Sequence, residues 1–290
     1  MANVRDFRTR IRSVKSTQQI TRAMKLVAAS KLRRAQDRVI AARPYARKMQ
    51  EVLSSLAARA NPELHALLAQ RPEKRVIAVV ITADKGLCGS FNTNILQSAR
   101  RFLDRLQAED VQVDMIGRKG RDWLKHRSYR ARRVMVDLFR DLSLREAREV
   151  GSDLIERFSQ DECDAVYLVY NEFKSAIQQE VVVRPLLPIP RAELVAGDGA
   201  AAVPPEDYIY EPQAAELFAN LLPKYVEVQV YHALLESSAA EHGARMSAME
   251  NATRNAGEMI ETLTLQMNKI RQSAITNEIL EVVSGAEALK

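Results

Sequence analysis

The sequence predicts an α/β protein of unusual layout: a long antiparallel coiled coil of N- and C-terminal helices, with an α/β domain inserted between them. Three observations predict it. Apolar residues recur in alternating steps of three and four from Val4 to Leu56. A matching seam runs from Leu235 to Ala274. Between the two, short β-rich runs alternate with helical stretches.

The first seam passes through Val4, Phe7, Ile11 and Val14 and resumes at Ala28, Leu32, Ala35, Val39 and Ala42. It extends through Met49, Leu53 and Leu56, giving one helix roughly 80 Å long at 1.5 Å per residue. Pro44 is expected to bend that helix rather than end it, because the pattern resumes at once. In the stretch STQQITRAMKLVAASKL the register falls instead on Gln18, Thr21 and Lys25, while Ile20, Met24 and Val27 form a second apolar line. Such a helix needs two neighbours. Asn61-Pro62 and Arg71-Pro72 then mark a linker.

The second seam runs through Leu235, Ala239, His242, Met246, Met249, Thr253, Ala256, Ile260, Leu263, Met267, Ile270 and Ala274. The helix carrying it is expected from Pro223 to about Ser284, roughly 90 Å. His242 reads as a polar seam residue, since no second ligand or base is placed to help it. After Ala274 the apolar residues shift to Ile275, Ile279 and Val282. Two helices with such stripes cover each other most economically by wrapping antiparallel.

In the middle, RVIAVVIT (75–82), VQVDMIG (111–117), RVMVDLF (133–139) and AVYLVY (165–170) read as strands. Helical stretches at 94–106, 121–126 and 144–158 separate them, which predicts a Rossmann-like, mostly parallel sheet. QQEVVVRPLLPI is expected as an antiparallel edge strand, because Pro185 and Pro188 fit poorly in a sheet centre. The segment AELVAGDGAAAVPPED reads as a flexible loop. The resulting organisation is a helix over 1–60, a linker over 61–74, the α/β domain over 75–205, a short segment over 206–223 and the second helix over 224–290.

Bulk composition agrees with a folded, water-soluble chain of 290 residues, 47% apolar and 28% charged. No secretory signal or membrane span is legible, so the mature chain is expected to begin near Met1 in the cytoplasm. Two cysteines, Cys88 and Cys163, and four histidines show no zinc spacing. Net charge is +6, yet residues 1–48 hold 14 Lys or Arg against Asp6 and Asp37. That basic face suits nucleic acid, anionic lipid or an acidic protein, or is simply solvated.

Sites of chemistry are scarce. TADKGLCGSFNTN places glycines between a strand and a helix, where a phosphate could meet helix-terminal amides. It lacks a P-loop ending and a dinucleotide fingerprint, and a strand-to-helix turn needs glycine for backbone reasons anyway. No nucleophile elbow, HExxH or paired-carboxylate pattern names a catalytic site.

RIRSVKSTQQITRAMKLVAASKLRRAQ, TADKGLCGSFN, YIYEP, and ARMSAMENATRNA with RQSAITNEILEVVSGAEAL together resemble the γ-subunit family of rotary proton-translocating ATP synthases. The resemblance covers essentially the whole chain. It implies a bent, asymmetric shaft inside a hexamer of α and β subunits, with the α/β domain at the foot beside the ε subunit and the membrane c ring. Torque would pass between the c ring and the β subunits, also shaping the regulation of ATPase activity and proton flow. The chain itself would be non-catalytic and bind no cofactor, with ATP, ADP and Mg held by partner subunits. No nucleic acid is implied as a partner. Met24, Lys25, Arg245, Arg271, Gln272 and Thr276 match positions of β contact and coupling; Tyr208, Tyr210 and Glu211 match the surface meeting ε and the c ring. The second apolar line would face the inner wall of the hexamer. A coiled-coil adaptor or nucleic-acid-binding scaffold is the alternative reading. The loop at 197–205 lacks the cysteine pair of the chloroplast form, so thiol regulation is not expected. The expected location is peripheral, on the cytoplasmic face of a bacterial plasma membrane.

Overall fold

A computed structural model describes residues 4–57, 65–140, 142–176, 178–190 and 213–287. The chain divides into two compact units, one formed by Met1–Ala28 with Arg245–Lys290, the other by Ala29–Ala244. Both terminal helices contribute to each: α1 spans Val4–Ala57 and α5 spans Ala214–Glu287.

In the larger unit, β1 (Arg75–Ile81), β2 (Asp110–Ile116), β3 (Arg130–Met135), β4 (Ala165–Phe173) and β5 (Gln179–Leu187) form one sheet. Its order is β3-β2-β1-β4-β5. All pairings are parallel except β4 with β5, which is antiparallel at the edge, as Pro185 and Pro188 predict. Strand β1 is central, and every residue after Arg75 is buried, the expected signature of a strand covered on both faces.

Its side chains divide by the two-residue period. Ala78 and Val80 join Val113, Met115 and Val169 beneath α2 (Phe91–Leu103) and α3 (Arg118–Leu124). Ile77, Val79 and Ile81 join the opposite core, where α4 (Leu144–Ser159) packs with the inner portions of α1 and α5. Helix α2 presents Phe91, Ile95, Ala99 and Leu103, one every four residues, as a continuous apolar face. Helix α4 opens with a capping box in which Ser143 and Glu146 satisfy each other's backbone amides. Hydrogen bonds from Ser143, followed by further bonds from backbone and Arg145, pull the Glu146 carboxyl down to about 2.

Several boundaries differ from expectation. Helices α2 and α3 each begin three residues earlier than their apolar patterns suggest, because Phe91 and the Gly117 turn already belong to strand-to-helix junctions. Strand β3 lies at Arg130–Met135 rather than 133–139; its arginines pair with carboxylates on neighbouring elements, so charge masks a strand in the sequence. Helix α5 begins nine residues before Pro223, which therefore lies inside a continuous helix, whereas Pro44 lies inside α1 without ending it, as expected.

In the smaller unit the two helices run antiparallel. Thr21 faces Thr253, with hydroxyl oxygens 2.8 Å apart, and Lys25 meets Glu250. That pairing brings Val4 level with Ile270. Consistently, the seam of α5 is at least half-buried through Ile270, and residues 271–286 are all exposed. Ala274 was expected in the seam and is not there: among the described residues, α1 offers no partner that far along.

Candidate functional site

The expected second neighbour of α1 is a matter of exposure. The line through Gln18, Thr21 and Lys25 turns inward toward α5, and Thr21 is buried. Polar residues hold the seam here. Thr21 Oγ1 donates to Gln18 O at 3.0 Å, Thr253 Oγ1 lies 2.7 Å from Met249 O, and Gln18 Nε2 donates to Thr253 O at 3.4 Å. Lys25 Nζ donates to Glu250 Oε1 at 2.6 Å. That hydrogen bond, ahead of the plain charge attraction, holds the Glu250 carboxyl below its ordinary range. A groove of about 480 Å³ beside this layer is bordered by Gln19, Arg22, Lys25, Glu250, Arg254 and Gly257.

The apolar residues freed from the seam face outward: Ile20 and Val27 are 57% and 58% exposed. Met24, on the same line, is half-buried. Arg245 is half-buried on α5 and makes contacts of its own. Arg271, Gln272 and Thr276 lie on the exposed end of α5, where Thr276 Oγ1 donates to Gln272 O at 3.0 Å. That end also exposes Ile275, Ile279, Leu280, Val282 and Val283. Five such side chains on a helix end that no other described element covers form a surface that water alone does not favour. Tyr208, Tyr210 and Glu211 lie outside the described residues.

The glycine-bearing loop occupies the place where open α/β sheets bind ligands, the carboxyl ends of β1 and β4 where strand order reverses. Here the chain fills that crevice itself. Ala83, Cys88 and Phe91 pack with Ala240 and Ala244 of α5 and with Phe173. Asn92 Oδ1 accepts from Ala83 N at 3.0 Å, and its Nδ2 donates to Cys88 Sγ at 3.1 Å. Leu87 and Gly89 take positive φ values of 63° and 57°, so at Gly89 glycine serves the tight turn. Cys88 and Cys163 are both buried thiols, and burial raises Cys163 to about 11.

Two carboxylates on α5 escape the sequence reading altogether. Glu227 meets α4, and Glu236, almost fully buried, meets the end of β4. Neither stands in a motif, and only the fold brings each to its partner. No helix among the described residues is long and apolar enough to cross a membrane.

A family model described as ATP synthase matches residues 3–289. The ATP synthase gamma chain of Anaeromyxobacter sp. (strain Fw109-5) is 50% identical over 297 residues, covering 100% of both chains. That of Trichlorobacter lovleyi is 45% identical over 292 residues, again with 100% coverage of both. Among solved structures, the central stalk and c-ring of Tetrahymena thermophila mitochondrial ATP synthase contains a chain 30% identical at TM-score 0.60. The match covers 80% of this chain and 99% of that one. A chain of the Euglena gracilis mitochondrial ATP synthase, 21% identical at TM-score 0.68, shares the fold over 99% of this chain and 94% of its own.

Proposed function

Because the chain belongs to the ATP synthase gamma-chain family, we propose that it works as the central-stalk rotor, carrying torque between a proton-driven c ring and catalytic β subunits. The full-length likeness to gamma chains, and to a chain of a solved central stalk and c-ring, supports the central-stalk reading. The observation that carries the rest is the pair of outward apolar surfaces: Ile20 and Val27 on α1, and residues 275–283 at the unpaired end of α5. A rotor enclosed by a ring of partners needs an apolar outer face, whereas a helix pair alone in water does not.

The mechanism is a population shift. A rotor that presents a different face to each β subunit stabilises a different conformation in each, so turning it drives each site in sequence through binding, formation and release of ATP. The chain contributes no catalytic group in this reading, and ATP, ADP and Mg belong to the partners. Met24, Lys25, Arg245, Arg271, Gln272 and Thr276 are assigned to β-subunit contact and coupling, and Tyr208, Tyr210 and Glu211 to contact with ε and the c ring. Membrane association comes through the complex, on the cytoplasmic face of a bacterial inner membrane.

Affinity purification of the tagged chain from native membranes tests this. Recovery with α, β and ε, and ATP hydrolysis that pumps protons, is the expected result. Recovery alone, or salt-sensitive retention on nucleic acid, overturns it.

A further inference from the structure

Torque reaches α5 only if the α/β domain cannot turn around it. Helix α5 passes this domain with two carboxylates nine residues apart. Successive residues of a helix are about 100° apart around its axis, so Glu227 and Glu236 point in opposite directions, separated by about 13 Å along it.

Each carboxylate is bonded to the domain. Arg148 Nε of α4 donates to Glu227 Oε2 at 3.1 Å, and Ser152 Oγ donates to Glu227 Oε1 at 3.5 Å. On the other side the backbone amide of Phe173, the last residue of β4, donates to Glu236 Oε2 at 2.9 Å. His232 Nε2 lies 3.5 Å from the other Glu236 oxygen.

Each is also backed by a glycine that lets the main chains meet. A β-carbon on Gly151 of α4 would stand 3.2 Å from Glu227 Cα. One on Gly243 of α5, two turns beyond Glu236 on the same side, would stand 3.3 Å from both Ala176 O and the Phe173 ring. Close backbone contact and a polar bond, solvent-exposed at Glu227 and partly buried at Glu236, thus coincide on two opposed sides of one helix. Either contact alone would serve as a pivot. Two contacts, on opposite sides and at different heights, resist rotation about the helix axis as a couple.

We propose that Glu227 with Gly151 and Glu236 with Gly243 form a two-sided clamp that fixes α5 against rotation relative to the α/β domain. The clamp rests on the torque-carrying reading and names the joint where that load crosses from the domain to the helix that carries Arg271 and Gln272. Glu227 and Glu236 are positioning residues, outside the set read as meeting other subunits.

The test is made in the assembled complex with Glu227→Ala, Glu236→Ala and the double variant, reading protons pumped per ATP hydrolysed and normalising to assembled complex. A couple fails when either arm is lost. Each single variant is therefore expected to lower the ratio several-fold, and the double no further, while Glu227→Gln and Glu236→Gln, which keep an acceptor oxygen, retain most of it. Independent sites at this separation would instead combine additively. An unchanged ratio in the double variant overturns the clamp, as do effects that multiply. Equal proportional losses of hydrolysis and pumping mark a merely structural role and overturn it too. A wild-type complex that hydrolyses ATP without pumping overturns the torque reading itself, whatever the variants do.

Discussion

Most leucines have opposite surroundings in the two units, Leu87 and Leu144 being exposed exceptions in the α/β unit. In the α/β unit Leu53, Leu56, Leu154 and Leu222 are wholly enclosed, and the sheet sends alternate side chains into two separate cores. In the smaller unit Leu26, Leu265 and Leu280 are more than half exposed, while threonine, glutamine and lysine take part of the seam. One unit completes most of its apolar burial within the chain, with Ile40, Tyr45 and Leu87 left more than half exposed. The other leaves it unfinished, as befits a surface that a partner completes.

The largest expected effect comes from making one chemical change in both. Leu53→Ala deletes a fully buried side chain and leaves a cavity, for a cost of about 3 kcal/mol or more. Leu280→Ala, at a site 57% exposed, changes the stability of the free chain by less than about 0.5 kcal/mol. Denaturant unfolding of the isolated chain reads both. Equal losses would end the distinction between the units; in the assembled complex, by contrast, Leu280→Ala is expected to weaken association.

The polar layer sharpens the contrast on a smaller scale. Thr21→Val leaves the Thr253 hydroxyl without its cross-helix partner and is expected to cost about 1 kcal/mol. Adding Thr253→Val removes both hydroxyls together, so the double variant is less destabilised than the two singles combined. Additive losses in a double-mutant cycle would show that the 2.8 Å contact contributes nothing of its own.

Legibility follows the same division. The α/β sheet, its parallel order and its antiparallel edge were readable because apolar runs such as RVIAVVI need cover on both faces and prolines need an edge. Strand β3 was displaced because Arg130, Arg132 and Arg133 hide it among charges that pair only in three dimensions. The seam was readable as far as Ile270. The expectation failed at Ala274, since heptad spacing reveals a stripe and not how far its partner reaches. Met24, Lys25, Arg271 and Gln272 were reached through motif resemblance; Glu227 and Glu236 belong to no motif and were invisible until α4 and β4 stood beside α5.

A pH effect separates the units further. Burial, outweighing the attraction of Glu236, holds the His232 pKa below 6.5; Arg184 and Arg43 act in the same direction as burial, and Glu172 opposes them. The folded state thus prefers the neutral ring. Its contribution is complete above the unfolded value of 6.5 and declines as pH falls from there toward the lower folded value. The isolated chain is expected to lose stability over that acidic window, and His232→Gln to flatten the loss. An identical pH profile in the variant would remove His232 as the cause.

The smallest expected effect on stability is the most informative for function. Lys25 and Glu250 form a short ion pair, yet their side chains are 36% and 55% exposed, and such pairs contribute little against solvent screening. Lys25→Glu should leave the denaturation midpoint of the free chain unresolved from wild type. It reverses a charge on the groove beside Arg22 and Arg254, where the basic first helix is read as meeting an acidic partner. ATP-driven proton pumping should therefore fall at normal assembly, and the paired variant Arg271→Ala with Gln272→Ala should behave alike from the exposed end of α5. Full pumping in Lys25→Glu would leave the pair as a solvated bridge between two helices and move the functional contact elsewhere on the rotor.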